Sequence, residues 1–543
     1  MLLQNSQSAA AQTRQSPRPW AQYGPALLAS FLYAVLTVAV LIGSWRASEH
    51  HFIYALDDTY IGMAMARWFA LHGVWGVTQF TFSSSDSSLL FPLLMAAGFR
   101  ISGVNLYVPI VLSWCFGLFS IFAAQHILAR FLGRKAQAAT LLIFVLFTPL
   151  FVVGVIGMEH SLHVLLTLLF LGWFLRDPGE APQGERLGSI ALITALMVAT
   201  RYEGLFFVAP AVAVLALQRR WKAAVSIAVG AAIPVVSYAA VSLAHGAWYL
   251  PNSVALKGAS GDHPGLLQAG ANIAARIAEN FQEGAQLFLL LACVAIAAVV
   301  LLRPKRRFAI PLILVLSAGC LHIALAQVGM YYRYDAYLFA AGIIALASAI
   351  PTMKAVAPKS LFLVEYVLLL VTGCGFLLLS VAQLHMLPLI SRNIYLRQWQ
   401  MGRFVEEYYP TATVAANDIG AVNYLSNIHC YDLVGLANQE IFFARRSGRY
   451  TTQFLEQDAA THHVQIAIAY DRWFGDPPGV VVGGPPLPKT WIRVAHWDIP
   501  DPSIIGDRVV SFYAVDPAEA AGLRSAVTDF ARQLPANVHT LPN

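Results

Sequence analysis

Two adjacent carboxylates, Asp57 and Asp58, sit in the stretch Tyr54-Ala55-Leu56-Asp57-Asp58-Thr59-Tyr60-Ile61, directly after the first long apolar segment of the chain. Carboxylates beside hydrocarbon are costly unless they have a task or a partner. A carboxylate within hydrogen-bond reach of a hydroxyl can take its proton and activate a weak nucleophile. A close second carboxylate can raise the pKa of the first toward the working pH. The same residues would also cap a helix starting near Thr59, because acidic side chains favour helix N-termini. The two roles are compatible, and the pair is the first candidate for a catalytic centre.

The elements that must position this pair belong to a membrane. Of the 543 residues, 58% are hydrophobic and 12% charged, against roughly 25% charged in soluble globular proteins. The basic residues behind the net charge of +6 gather in short loops between apolar segments, a pattern that sets membrane orientation and argues against nucleic acid. The five cysteines are scattered, four of them in apolar segments, and make neither a metal spacing nor a disulfide framework. Residues 1–22 are polar, with Arg14 and Arg18, and the next apolar run lacks a small-residue cleavage site. They are expected to be a cytoplasmic tail before a retained first span.

A span needs on the order of 20 apolar residues. About eleven are predicted, at 23–45, 106–128, 138–155, 160–175, 187–199, 205–217, 223–244, 285–302, 308–326, 336–350 and 361–385. The first outer loop, 46–105, carries two helical stretches placed at the interface: 59–72, with Ile61, Met65 and Trp68 on one face, and 88–99, which ends at Arg100. With that placement the basic clusters fall in alternate loops, at Arg130, Arg134 and Lys135, Arg176 and Arg186, Arg219, Arg220 and Lys222, Arg303, Lys305, Arg306 and Arg307, and Lys354 and Lys359. This is the positive-inside pattern. The opposite, extracytoplasmic loops hold the Asp pair, Gly157-Met158-Glu159-His160, Arg201-Tyr202-Glu203-Gly204, the 249–257 stretch with Asn252 and Lys257, and Tyr331-Tyr332-Arg333-Tyr334-Asp335. A transporter would place ionisable groups near the midplane and show internal repeats; the sequence has no such repeat.

Beyond residue 390 the polarity becomes ordinary. Strand-like runs at 413–416, 464–469, 480–482 and 509–515 alternate with helix-like stretches that end in 517–533. Residues 391–543 are expected to form a soluble, extracytoplasmic α/β domain. Within it, Asn417-Asp418-Ile419-Gly420-Ala421 is read as a turn and helix cap, since a single glycine is too little for a phosphate loop.

The order of these motifs resembles the GT-C superfold of glycosyltransferases, and is most similar to the branch that includes the mycobacterial terminal arabinofuranosyltransferases. The likeness is carried by the Asp pair after the first span, Arg67 on the following helix, Ser83-Ser84-Ser85-Asp86-Ser87-Ser88, Gly-Met-Glu, Arg-Tyr-Glu-Gly, Pro-Asn-Ser, Asp-Ile-Gly and the Asp-Leu-Val-Gly-Leu of 432–436. Family members often have Arg-Pro-Glu where this chain has Arg201-Tyr202-Glu203. The resemblance implies an α-helical polytopic membrane protein with a catalytic domain at 23–390, in a bacterial inner membrane with its active site facing the periplasm or cell exterior. It implies transfer of a sugar, with inversion, from a polyprenyl-phosphate donor to a cell-envelope glycan, lipid or protein.

In such a family the catalytic base maps onto Asp57 or Asp58. Asp57 is the first choice, with Asp58 positioning it, binding a hydroxyl or holding a divalent cation; no other cofactor is demanded. The departing phosphate needs fixed positive charge, for which Arg201, Lys257, Arg333 and Arg67 are candidates. Against this stand snorkelling and local pairing, of Arg201 with Glu203 or Arg333 with Asp335. Glu159, Glu203 and Asn252 complete the candidate substrate-binding set. His126, His163 and His322 fall in apolar spans at no metal spacing. The competing readings are a transporter of a lipid-linked or polysaccharide substrate with an acidic coupling site, and a transferase-like glycolipid binder.

Overall fold

The computed structural model describes residues 22–176, 183–257, 266–475, 483–504 and 507–542. Among them, seven helices are long and apolar enough to cross a membrane, from Gly24–Ala47 to the long helix that opens at Lys359. The chain is a polytopic integral membrane protein. Helix Ala336–Val356 runs through the middle of the bundle, with 83% of its apolar window buried against 28% for Gly24–Ala47 and Trp221–Ala244. Those two outer helices expose Phe31, Val35, Val38, Val229, Ile233 and Val236, a surface that only lipid would cover without cost.

Helices His160–Leu175, Leu187–Thr200 and Tyr202–Leu217 are apolar but shorter. The expected span 138–155 divides into Arg134–Phe147 and Leu150–Val155. Pro149 explains the break, because proline has no amide to donate and disfavours a helical residue before it.

In the segment after the first span the two helices are Asp57–His72 and Leu90–Ser102. The first ends at Gly73, whose φ of 71° is a left-handed C-cap. It is buried on nearly every side, from Thr59 through Ala66, where the sequence pattern implies one buried face. The reason is tertiary: it is packed against helix Gly420–Leu425 as well as the bundle.

No structural break accompanies the composition change near His385. Helix Lys359–Ile394 continues through a π turn, Tyr395–Trp399, into helix Gln400–Tyr408. A six-stranded sheet follows, with β1 Thr413–Ala416, β2 His429–Asp432, β3 Ile466–Ala469, β4 Ile492–Asp498, β5 Val509–Ala514 and β6 His539–Pro542 in the order β2-β1-β3-β5-β4-β6. β1 pairs in parallel with β2 and β3, and the other pairings are antiparallel. The expected strand at 480–482 lies outside the described residues. Phe404 of the preceding helix packs on Phe512, Trp497 and Phe530, with ring centroids 5.1, 6.2 and 5.6 Å away. That aromatic core fixes the sheet to the end of the last span. Arg392 closes the joint, donating to Asp501 Oδ2 and to the Ala47 carbonyl, both at 2.8 Å.

Candidate active site

The start of helix Asp57–His72 is held from behind. Thr59 Oγ1 donates to the Ile156 carbonyl at 2.7 Å, and the Tyr54 amide donates to the Tyr60 hydroxyl at 3.0 Å. Both aspartates consequently sit at the first turn, facing away from that anchor.

The Asp57 side chain caps a helix, but not its own. Its Oδ2 accepts the Gly420 amide at 2.7 Å and its Oδ1 the Ala421 amide at 2.9 Å. These are the first amides of helix Gly420–Leu425, between β1 and β2. A Cβ at Gly420 would lie 2.1 Å from the Asp57 carbonyl oxygen, so no larger residue fits there without displacement. Arg67 donates to the Tyr424 carbonyl near the other end of the same short helix. It stands behind the site.

Asp58 is held by Arg333, whose Nη2 donates to Oδ2 at 2.8 Å. Arg333 is 1% exposed and Asp58 41%. The same guanidinium contacts the Tyr334 hydroxyl at 3.0 Å and Met158 Sδ at 3.1 Å. The expected alternative, pairing with Asp335, does not occur; Asp335 Oδ1 accepts the Gly329 amide at 3.2 Å. Met330, Tyr331 and Tyr332 all have left-handed φ values, 45°, 63° and 60°, and this sharp turn directs Arg333 and Asp335 to different partners.

Arg201 forms the local pair with Glu203, at 2.5 and 3.2 Å, and adds a distant one with Glu159 at 2.5 Å. Its guanidinium is occupied by two carboxylates. Arg333 and Arg201 flank the Tyr334 ring, 4.8 and 5.5 Å from its centroid. Asn252 Nδ2 donates to the Gly435 and Leu436 carbonyls at 3.2 and 3.1 Å, while its amide donates to the Ser84 carbonyl at 2.8 Å. It ties the Ser-rich loop to the sheet. Lys257 closes helix Asn252–Lys257, and its side chain lies outside the described residues.

A cavity of about 700 Å³ opens at this end of the bundle. Asp57 and Asp58 line it; Arg67, Glu159, Arg201, Glu203, Asn252 and Arg333 are not among its lining residues. Sequence reasoning did not foresee four further carboxylates on its wall, Asp86, Asp418, Glu279 and Glu283. Asp86 and Asp418 lie in motifs already singled out. The two glutamates lie on helix Leu266–Glu283, whose exposed Ile273, Ile277 and Phe281 recur every fourth residue, a readable signal of an amphipathic helix.

The electrostatics follow from this crowding. Burial and the Asp418 carboxylate raise the pKa of Asp57 to about 8, against the opposing pull of the Ala421 and Gly420 amides. Burial and Glu159 raise Asp86 to about 8, with the Ser88 amide opposing. Burial also raises Asp418, while Arg397 and Gln398 act the other way. Among the described residues, no group of three His, Cys, Asp or Glu side chains is arranged to hold a metal ion.

A protein-family model described as a domain of unknown function (DUF8728) matches residues 392–513. No curated protein sequence matches the chain. Among solved structures, ArnT from Cupriavidus metallidurans in the apo state is similar at a TM-score of 0.52 and 13% identity, over 90% of this chain and 98% of that one. The same protein bound to undecaprenyl phosphate gives 0.51. The Archaeoglobus fulgidus oligosaccharyltransferase tethered with an acceptor peptide gives 0.51 at 13% identity, over 97% of this chain and 77% of that one. The chain has the GT-C fold. At this identity the GT-C likeness concerns architecture, covering bundle and sheet alike, and does not single out a branch of the superfold.

Proposed function

We propose that the protein is a membrane glycosyltransferase that moves a sugar from a polyprenyl-phosphate donor to a cell-envelope glycan, lipid or protein at the outer face of a bacterial inner membrane. The observation that carries this reading is the acidic cavity between the bundle and the sheet unit, with Asp57 and Asp58 on its wall. Support for a lipid-phosphate donor comes from the GT-C architecture and from the undecaprenyl phosphate bound to ArnT. In this reading residues 391–543 form the outer domain, and the cavity mouth faces the same side.

Asp57 is the general base. Burial and a neighbouring carboxylate raise its basicity, which suits a group that must take a proton near neutral pH. The acceptor hydroxyl passes its proton to Asp57 as its oxygen bonds to the anomeric carbon. The bond from that carbon to the phosphate oxygen breaks, and polyprenyl phosphate leaves with the electron pair. A single displacement of this kind inverts the anomeric centre. Asp58, fixed by Arg333, is placed to bind a substrate hydroxyl beside the base. No Lys or Arg side chain among the described residues lines the cavity. Charge for the leaving phosphate is therefore sought in Lys257, at the end of helix Asn252–Lys257.

The test is transfer of radiolabelled sugar from a panel of polyprenyl-phosphate donors to envelope acceptors by purified protein, alongside Asp57→Asn and Asp58→Asn. Turnover that collapses in Asp57→Asn while donor binding persists supports the assignment. Absence of turnover with every donor would remove the glycosyltransferase reading.

A further inference from the structure

We propose that Gly420, Ala421 and Arg67 are positioning residues that hold Asp57 in its working orientation, so that the active site is complete only while the sheet unit is docked on helix Asp57–His72. This rests on the reading of Asp57 as the base.

The geometry is a clamp matched to the polarity of a short helix. An acidic side chain meets the amides of Gly420 and Ala421 at its N-terminal end, and a basic side chain meets the Tyr424 carbonyl near its C-terminal end. Each charge faces the end of the helix dipole that favours it. Both come from one helix, so the clamp fixes the direction of helix Gly420–Leu425 as well as its distance. Tyr60 and Tyr424 fill the space between, with ring centroids 5.9 Å apart.

Two amides on two oxygens define the plane of the Asp57 carboxylate. Hydrogen bonds to an ionised acceptor are stronger than neutral ones, and a base must be held in line with the proton it takes. The start of helix Asp57–His72 has no side-chain cap of its own to supply that restraint. The sheet unit supplies it. The same docking brings Asn417, Asp418 and Ile419 onto the cavity wall. Gly420 is the tight point, since its Cβ position is already filled by Asp57 atoms at 2.1, 2.6 and 2.7 Å.

The experiment uses the full chain in lipid nanodiscs. Hydrogen exchange at the Gly420 and Ala421 amides is compared in wild type, Asp57→Ala and Arg67→Met. Transfer kinetics are measured for Gly420→Ala, Arg67→Met and Arg67→Lys. The proposal expects both amides to be protected in wild type and to exchange at least tenfold faster in Asp57→Ala. It expects kcat to fall at least tenfold in Gly420→Ala and Arg67→Met with donor KM within twofold, and Arg67→Lys to recover most of the loss. Free exchange in wild type, or wild-type kcat in both Gly420→Ala and Arg67→Met, would overturn it. If no donor is turned over at all, the glycosyltransferase reading fails, and exchange alone decides whether the docking exists.

Discussion

The Gly420 amide donates to Asp57 Oδ2 at 2.7 Å across 363 residues of chain. One partner opens the helix that follows the first span, and the other opens a helix between two strands of the sheet. The Asp57 carboxylate is thus shared between the helix bundle and the sheet unit. Anything that loosens the sheet unit is felt at Asp57, and several measurable consequences follow from this arrangement and from the ion pairs behind it.

Transfer by the wild type is expected to rise with pH, with the ascending limb of kcat/KM near the value of about 8 to which burial and Asp418 raise Asp57. The groups facing Asp57 are Asp58 and Tyr60 on its own element and Asp418 and Tyr470 from the sheet unit. Arg333 acts beyond Asp58, and Arg397 beyond Asp418. Asp418→Asn removes a neighbouring negative charge, so the limb should move to lower pH. A limb unmoved in this variant would show that Asp418 does not tune the base.

The same raised value bears on stability, with a definite sign. A carboxylate whose folded pKa lies above its unfolded one stabilises the fold below pH about 4, and that contribution is lost as pH rises through about 8. Asp57→Asn cannot ionise. The variant should lose at least a hundredfold in transfer, the ordinary scale for a missing general base being about 10²–10⁴. Its melting temperature relative to wild type should improve on going from pH 6 to pH 9. Thermal unfolding in detergent at the two pH values checks this.

Arg201 is expected to be structural. It is buried with Glu159 and Glu203, and removing it leaves two carboxylates without their cation. Breaking a buried pair from one side costs roughly 3–5 kcal/mol, so Arg201→Met should unfold several degrees lower or fail to accumulate. Arg201→Lys should be intermediate, because a lysine cannot serve two carboxylates with a planar fork. Asp58→Ala should cost less, since Asp58 is 41% exposed and solvent screens its half of the Asp58–Arg333 pair. Melting curves of the three variants give the order directly.

Asp501 should make the joint between sheet and membrane acid-labile. Burial opposes its ionisation, but hydrogen bonds from Arg392, the Ser503 amide and Asn537 hold its pKa well below the ordinary carboxylate range. The stabilisation is full above the unfolded value of about 3.9 and is lost as pH falls below it. Limited proteolysis between pH 5 and pH 2 should show the sheet unit released first. Asp501→Asn should be more susceptible than wild type at neutral pH and show a weaker acid dependence.

The membrane character of the chain, the two helices after its first span and the pairing of Arg201 with Glu203 were legible from residue order, because each depends on neighbours a few positions apart. Hydrophobic runs of span length have one inexpensive environment, and an Arg two residues from a Glu at a helix end finds it without help from the fold. Pro149 shows that even a local signal is missed when a long apolar run hides it. What residue order could not give was the partner of each charge. Arg333 was as near to Asp335 in the chain as Arg201 to Glu203, and three left-handed residues turned it toward Asp58. Asn417 to Ala421 read as an ordinary turn because its contacts to Asp57 are made by two backbone amides, and amides carry no residue code. Only the docking of the sheet on helix Asp57–His72 decided that those amides meet a carboxylate, since long-range hydrogen bonds follow from packing and packing is set by the whole chain at once.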